Sequence, residues 1–204
     1  MRGIVGRKVG MSSLWNSDGV VIPCTLIDCG GCKVVQIKTN DVDGYSAVQI
    51  GYGVKKEKNV SKSFRAHCKH NKCDVLLKII ECRDFDVDVN SGDNLNVTDL
   101  FSEGDFVDVV GRSKGKGFQG VVKRHGFSGV GGTTHGQHNR LRAPGSVGAS
   151  SFPSRVFKGL RMAGRMGGER VTVKNLEILK IDGNVVVVAG CVPGSNNGIV
   201  FLQK

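Results

Sequence analysis

All of the excess positive charge of this chain lies in sixty consecutive residues, 111–170, here named the basic segment. The segment contains twelve Lys and Arg and a single acid, Glu169, in a 204-residue chain whose 29 Lys and Arg face 18 Asp and Glu. It also holds 15 of the 30 glycines. Because like charges repel and glycines bury no side chain, the segment alone is expected to be extended or disordered.

Two interpretations of this charge differ in what neutralises it. A short run of charges is commonly no more than a solvated face, but eleven uncompensated charges in sixty residues exceed what a solvated face needs. A polyanionic partner would remove the repulsion, and nucleic acid is the commonest polyanion. The charge therefore favours a protein that binds nucleic acid.

Several other classes of protein conflict with the sequence. The longest conspicuous apolar run, Val185–Ala189, has five residues, far fewer than the roughly 18 that a membrane helix needs. Residues 1–8 lack the apolar core of a secretory signal, so no such signal is expected. Seven cysteines, an odd number without the spacing of a small disulfide framework, favour a reducing compartment.

Alternating apolar and polar residues on both sides of the basic segment predict a mainly β protein. The pairs Asp18-Gly19 and Asp182-Gly183 are strong hairpin-turn signals, and Ser61 is a candidate cap of a short helix. Residues 1–110 and 171–204 are expected to form one antiparallel barrel or sandwich. The predicted strands are 12–15, 20–28, 33–38, 45–52, 75–82, 105–110, 118–123, 171–181, 184–192 and 198–202.

Residues 126–154 show neither helical nor strand periodicity. A structureless loop of this length is uncommon inside a compact domain. Because the loop is basic and rich in glycine, we expect a molecule outside the protein to order it. The sequence thus predicts a long basic loop that extends from a β domain.

One alternative function is that of an oxidoreductase. Residues 115–120, GKGFQG, match the glycine pattern of a dinucleotide-binding loop and follow a predicted strand. Such a site also needs a helix after the last glycine and an acid about 20 residues later. Residues 121–126 are few and β-branched, and no acid occurs between Asp108 and Glu169. The glycines are better explained as positions where the backbone and lysines approach a phosphate chain.

Cysteine and histidine clusters raise a second alternative, a zinc site. Four ligands drawn from two clusters would make a tetrahedral site. However, Cys32 leads directly into a predicted strand, and Gly30-Gly31 indicates a turn. No metal is assigned, and the thiols are interpreted as isolated. The candidate ligands are Cys29, Cys32, His67, Cys68, His70 and Cys73.

The basic segment lacks the side chains that catalysis needs. Its three histidines have no sequence-local carboxylate to orient them or balance their charge. The chain contains no nucleophile elbow, Walker loop or His-Glu-x-x-His motif. Neither an enzyme nor a cofactor is expected.

The cations of the basic segment are instead predicted to contact phosphate. Arg161 and Arg165 are spaced i and i+4, so in a helical turn both guanidinium groups would share one face, as would Met162 and Met166. The alternative is a small amphipathic turn packed on the barrel. The methionines are expected to pack and the arginines to reach phosphate. Gly117 is predicted to let the backbone approach a phosphate. The predicted phosphate contacts are Arg112, Lys114, Lys116, Lys123, Arg124, Arg140, Arg142, Arg155, Lys158, Arg161 and Arg165. The predicted stacking or base-edge contacts are His125, His135, His138, Phe118 and Phe127.

Several long motifs identify a family. The longest covers residues 109–127, VVGRSKGKGFQGVVKRHGF. The others are 6–11, 134–136, 142–148, 155–159, 162–167, 192–194 and 197–198. Together they span nearly the whole chain, except for a weaker stretch at about 55–100, and closely resemble the bacterial-type family of large-subunit ribosomal protein three.

The resemblance implies a fold and a place in the ribosome. The fold is a closed six-stranded antiparallel β-barrel with a small α/β insertion, here at 53–103, and a long extension at 125–155. Family members bind the 3′-terminal domain of large-subunit rRNA early in assembly. Their extension enters the rRNA towards the peptidyl-transferase centre, and they contact ribosomal proteins fourteen and nineteen.

The resemblance also implies a structural role in a cytoplasmic or organellar ribosome, with no cofactor, no membrane and no homo-oligomer. Some family members carry a methylated glutamine directly after the motif that ends here at Gly148. This chain has Ala149 at that position, so the modification is not expected.

Overall fold

Twelve strands and four short α-helices form within residues 2–16, 18–71, 73–132 and 135–204, the part of the chain that this computed structural model describes. The strands are β1 (Gly3–Trp15), β2 (Val21–Asp28), β3 (Cys32–Lys38), β4 (Ala47–Val54), β5 (Leu76–Arg83), β6 (Asn94–Leu95), β7 (Phe106–Arg112), β8 (Gly117–Gln119), β9 (Gly164–Met166), β10 (Arg170–Asp182), β11 (Val185–Ala189) and β12 (Ile199–Gln203). The helices are α1 (Asn40–Asp43), α2 (Lys62–His70), α3 (Val97–Leu100) and α4 (Val121–His125), with 3-10 turns at Glu57–Asn59 and His138–Arg140. None of these helices is long and apolar enough to cross a membrane.

The chain divides into two compact units. The barrel unit consists of Met1–Ser113 and Arg170–Lys204, and the basic unit consists of Lys114–Glu169. The chain leaves the barrel unit after β7 and returns at β10. These two strands pair with each other, with Arg112 opposite Arg170. The basic unit is therefore inserted between two hydrogen-bonded neighbours of the barrel.

Six strands of the barrel unit close into an antiparallel barrel in the order β1-β12-β7-β10-β11-β2. The barrel closes because β1 pairs with β12 on one side and with β2 on the other. The apolar core of the unit includes the fully buried Ile4, Ile27, Val109, Ile178 and Leu202. This mainly β fold confirms the closed six-stranded antiparallel barrel that the resemblance implies.

In the barrel, the turn between β1 and β2 and the turn between β10 and β11 each contain a predicted Asp-Gly pair. Gly19, between β1 and β2, has a φ of +75° and donates its N–H to the Asn16 carbonyl at 2.9 Å. Gly183, between β10 and β11, has a φ of +56°. Glycine adopts such positive φ values without the steric cost that a Cβ would add. Ser17 of the first turn lies outside the described residues.

A second antiparallel sheet in the barrel unit has the order β5-β4-β3-β6. Strand β3 pairs with β4 and with β6, and β4 also pairs with β5. Within the described residues, neither β3 nor β4 pairs with a barrel strand. This sheet includes Cys32–Lys38 and Ala47–Val54, so it begins before the insertion expected at 53–103. Alternation of apolar residues predicts a strand, but it carries no information about which strand lies beside it.

Helix α2 begins at the predicted cap. Ser61 Oγ accepts a hydrogen bond from the Phe64 N–H at 3.4 Å, which satisfies one of the donors that a helix leaves free at its first turn. The helix buries Cys68 against the rest of the unit and exposes Lys62 and Lys69. The predicted short helix is thereby confirmed.

Three of the candidate zinc ligands, Cys29, Cys32 and Cys73, lie in environments that favour the protonated thiol. Cys29 and Cys32 are buried in the apolar core, where the Cys32 Sγ donates to the Val5 carbonyl at 2.8 Å. Burial raises the pKa of Cys32 to about 12, and a metal ligand has to be a thiolate. Cys73 Sγ donates to the Cys68 carbonyl at 3.5 Å. No group of three or more His, Cys, Asp or Glu that could hold a metal occurs within the described part of the chain.

A polar network crosses the second sheet, with Glu81 at its centre. Glu81 Oε1 accepts a hydrogen bond from Gln49 Nε2 at 2.9 Å and lies 3.1 Å from Lys38 Nζ. Its Oε2 accepts from Tyr45 Oη at 3.1 Å, and His67 Nε2 lies 3.1 Å from Gln49 Oε1. The hydrogen bond from Gln49, followed by those from Lys38 and Tyr45, lowers the pKa of Glu81. The network therefore stabilises the ionised carboxylate.

Acid should destabilise the barrel unit partly through Glu81. Because its pKa is lower in the folded chain, its contribution to the free energy of unfolding is present above the unfolded pKa of about 4.3 and is lost as the pH falls through the folded pKa. We therefore expect Glu81→Gln to lose less free energy of unfolding than the parent chain between about pH 6 and pH 3, measured by urea denaturation at each pH. Equal losses in the two proteins would mean that the network does not act through this carboxylate.

Candidate nucleic-acid interface

The basic unit carries ten Lys and Arg and one acid. Among its described residues only Val121 is buried, so the unit has almost no core of its own. Arg124 is half-buried, and the other nine cations are exposed. These nine are Lys114, Lys116, Lys123, Arg140, Arg142, Arg155, Lys158, Arg161 and Arg165. One acid cannot neutralise ten cations, so the unit attracts a polyanion.

One predicted phosphate contact lies in the other unit. Arg112 is the last residue of β7, in the barrel unit, where its position in the ladder is opposite Arg170. Ten of the eleven predicted phosphate contacts therefore belong to the basic unit, and Arg112 belongs to the barrel unit.

A small two-stranded sheet organises the two ends of the basic unit. Strand β8 pairs with β9 so that Phe118 lies opposite Arg165, and the Lys116 N–H donates to the Met166 carbonyl at 2.9 Å. The first of the two possibilities for this stretch, a helical turn through Arg161 and Arg165, is therefore wrong. Gly164 and two glycines after Met166 disfavour a helix in this stretch, and pairing with β8 satisfies its backbone instead.

Helix α4 replaces the second half of a predicted strand. The strand expected at 118–123 ends at Gln119, and Val121–His125 is helical. Gly126, with a φ of +73°, ends the helix and donates its N–H to the Val122 carbonyl at 3.0 Å. The β-branched valines favoured a strand, but burial of Val121 and the glycine cap outweigh that preference.

Two of the predicted RNA contacts on α4 also bind within the unit. Arg124 Nη1 donates to the Met162 carbonyl at 2.7 Å, and His125 Nε2 lies 3.0 Å from the same oxygen. A Cβ on Gly164 would lie 2.5 Å from Arg124 Nη1, so the glycine makes room for the guanidinium. Sequence reasoning missed this carbonyl acceptor, because a backbone oxygen leaves no signal in residue type.

The glycine pattern of 115–120 is not part of a dinucleotide site. In a dinucleotide-binding fold the last glycine opens a long helix whose N-terminus faces the pyrophosphate. Here the pattern contains β8 and is followed by the five-residue α4. The geometry thus removes the structural support for the oxidoreductase alternative.

The described residues of 126–154, which are 126–132 and 135–154, form turns and irregular backbone, with a 3-10 turn at His138–Arg140. The Val130 N–H approaches the Leu141 carbonyl at 3.4 Å. A Cβ on Gly129, whose φ is +75°, would overlap that carbonyl. His135 and His138 are exposed, while Thr134 of the 134–136 motif lies outside the described residues. The loop is therefore held by a few local backbone contacts rather than by a core.

Exposed aromatic side chains accompany the cations. Phe118 is 76% exposed, and the His125 and Phe127 rings lie 6.1 Å apart at a tilt of 47°. Sequence reasoning missed Phe152 and Phe157, which are 88% and 58% exposed, although phenylalanines within a basic, glycine-rich segment are themselves a signal. The Arg155 guanidinium lies 5.3 Å from the centroid of the Phe157 ring. Aromatic side chains and cations are thus interleaved in this unit, a combination that proteins binding single-stranded nucleic acid use.

Comparisons with known proteins identify the family of this chain. The family model described as "Ribosomal protein L3" matches residues 77–184. The "Large ribosomal subunit protein uL3" of Salinibacter ruber (strain DSM 13855 / M31) is 51% identical over 204 residues, which covers 99% of this chain and 98% of that relative. The chain therefore belongs to the ribosomal protein L3 family, whose members are structural, non-enzymatic constituents of the ribosome.

Proposed function

We propose that this chain binds the 3′-terminal domain of large-subunit rRNA early in subunit assembly, mainly through the basic unit. The observation that carries the proposal is the nine exposed cations on a unit with one acid and one buried residue among those described. A unit with so little core cannot offset the ordering of its backbone by burying apolar surface. Phosphates that neutralise the cations would supply the missing stabilisation.

The contacts divide into phosphate and base contacts. The proposed phosphate contacts are Arg112, Lys114, Lys116, Lys123, Arg124, Arg140, Arg142, Arg155, Lys158, Arg161 and Arg165. Arg124 keeps further N–H donors for phosphate after its bond to the Met162 carbonyl. Gly117 lets the backbone approach a phosphate. Proposed stacking or base-edge contacts are His125, His135, His138, Phe118 and Phe127.

The extension at 125–155 would pass between RNA helices towards the peptidyl-transferase centre. Its support is an exposed, irregular backbone that local contacts alone hold in place. The barrel unit, with a core of its own, would act as the rigid anchor outside the rRNA. A single copy per subunit would contact ribosomal proteins fourteen and nineteen, as the family resemblance implies.

The preference of the chain for the 3′-terminal domain of the rRNA can be measured directly. The full chain should bind a transcript of the 3′-terminal domain about tenfold or more tightly than an equally long transcript from another domain of the same rRNA, a difference of at least about 1.4 kcal/mol. Filter binding at one fixed salt concentration keeps the sequence-independent phosphate attraction equal in the two arms. Equal affinity for both transcripts would contradict the proposed domain and leave only general RNA binding.

A further inference from the structure

A cavity of about 300 Å³ opens inside the basic unit, where three stretches of turn and irregular backbone meet. Phe127, Pro144, Val147 and Leu160 form its apolar walls, and Arg161 also lines it. Leu160 remains 44% exposed, so the cavity is open to solvent. Its volume lies at the lower end of the range of small-ligand sites, about 300–1,000 Å³.

We propose that this cavity binds one unpaired base of the rRNA. This inference rests on the proposed function, and it names the group that the basic unit would recognise. An unstacked base presents a flat apolar face, which aromatic and aliphatic walls can cover. The Arg161 guanidinium is planar and can stack on the same ring.

A polar atom in the lining can also meet the edge of a base. Ser146 Oγ donates its hydrogen to the Gly148 carbonyl at 3.0 Å. The hydroxyl oxygen therefore keeps lone pairs that can accept a hydrogen bond from an exocyclic amine. Adenine, cytosine and guanine each carry such an amine.

The charge around the cavity favours RNA over the apolar side chain of a neighbouring protein. Arg142 lies two residues before Pro144, and Lys158 directly precedes Gly159 in the lining. The lining contains no acid. A base brings a phosphate on each side, which these cations can neutralise, whereas an apolar protein side chain brings no such charge.

Filling the cavity without changing the charge tests the proposal. Leu160→Trp and Val147→Trp fill it from two different segments. Val130→Trp adds the same bulk at an exposed valine of the basic unit outside the cavity lining, and is the matched control. Each full-length variant is titrated against the 3′-terminal-domain transcript at several salt concentrations, and base accessibility is mapped with dimethyl sulfate. Thermal melting of each variant verifies that the barrel unit is folded.

Both filled variants should bind about 5- to 150-fold more weakly than the parent, the range reported for stacking of one base. Their salt slope should stay unchanged, because no cation is lost. One adenine or cytosine should be protected by the parent and by Val130→Trp, and should react in the complexes of both filled variants.

Two outcomes would overturn the base site while leaving the proposed function intact. In the first, the filled variants bind and protect the transcript as the parent does. In the second, they bind the transcript normally but are lost from assembled subunits, which would assign the cavity to a neighbouring protein. A parent chain whose binding does not depend on salt would contradict the proposed function itself.

Discussion

Raising the salt concentration from 50 to 200 mM should weaken binding of this chain to large-subunit rRNA by about 10³- to 10⁵-fold. The effect follows if about 6–10 of the exposed cations meet phosphates, because each contact releases condensed counterions that salt drives back. The ten cations of the basic unit have one acid among them, so the unit itself cannot supply ten anionic partners. Equilibrium binding over a series of salt concentrations measures the slope directly.

Charge-neutral variants connect the slope to particular residues. Replacing Arg140, Arg142 and Lys158 with Gln should lower the slope by about two to three. Lys33→Gln is the matched control, because Lys33 Nζ lies 3.1 Å from the Asp74 carboxylate in the barrel unit. The control should retain the parent slope. A parent slope near zero, or an equal reduction by Lys33→Gln, would contradict phosphate neutralisation by the basic unit.

Deleting residues 128–154, with a short Gly-Ser linker in their place, should leave the barrel folded but impair the ribosomes that contain the shortened chain. The deletion keeps α4 and its Gly126 cap, and it removes no residue of the barrel core. The melting temperature should therefore stay close to that of the parent. Loss of Arg140 and Arg142 should lower the salt slope by about two.

A full-length Arg140→Gln, Arg142→Gln double variant separates charge from backbone. It loses the same two cations and keeps the loop, so its salt slope should match that of the deletion. If the loop reaches the peptidyl-transferase centre as proposed, subunit assembly and peptide transfer should be impaired much more by the deletion, because the RNA there would lose a packing partner. If the deletion variant is unfolded, the loop is part of the core. If ribosomes that contain the deletion variant are normally active, the proposed extension of the loop towards the peptidyl-transferase centre is unimportant.

Local signals were sufficient to predict many of the strands. The strand predicted at 171–181 is found as Arg170–Asp182, and it ends at the predicted Asp182-Gly183 turn. The strand predicted at 75–82 is found as Leu76–Arg83. Alternation and turn chemistry depend on neighbours in sequence, so a single sequence reveals them.

Strand partners depend on contacts between distant residues. The barrel closes where Gly3 lies opposite Gln203, and nothing in the composition of either strand specifies that pair. Strands β3 and β4 alternate like barrel strands but belong to the second sheet. The six-stranded closure came from the family resemblance rather than from periodicity.

The basic segment was evident from the sequence because charge can be summed without knowing any contact. Its internal geometry was not. The bond from Arg124 to the Met162 carbonyl joins residues 38 positions apart. The i, i+4 spacing of Arg161 and Arg165 is compatible with a helical turn. Their segment instead pairs with β8, which lies far away in sequence, so the spacing alone could not reveal that partner. Interactions of this kind override local preference and become visible only in the fold.

Closure of the barrel between its first and last strands also sets an order of events during synthesis. Strand β1 cannot gain its partner β12 until Ile199–Gln203 has left the exit tunnel. The basic unit precedes β10, β11 and β12, so it emerges while half of the barrel strands are still missing. Residues 170–204, which contain β10, β11 and β12, take about 2–7 s to synthesise at roughly 5–20 residues per second. A nascent chain therefore contains the ten cations of the basic unit before its barrel can close, and we expect early binding to rRNA to neutralise them.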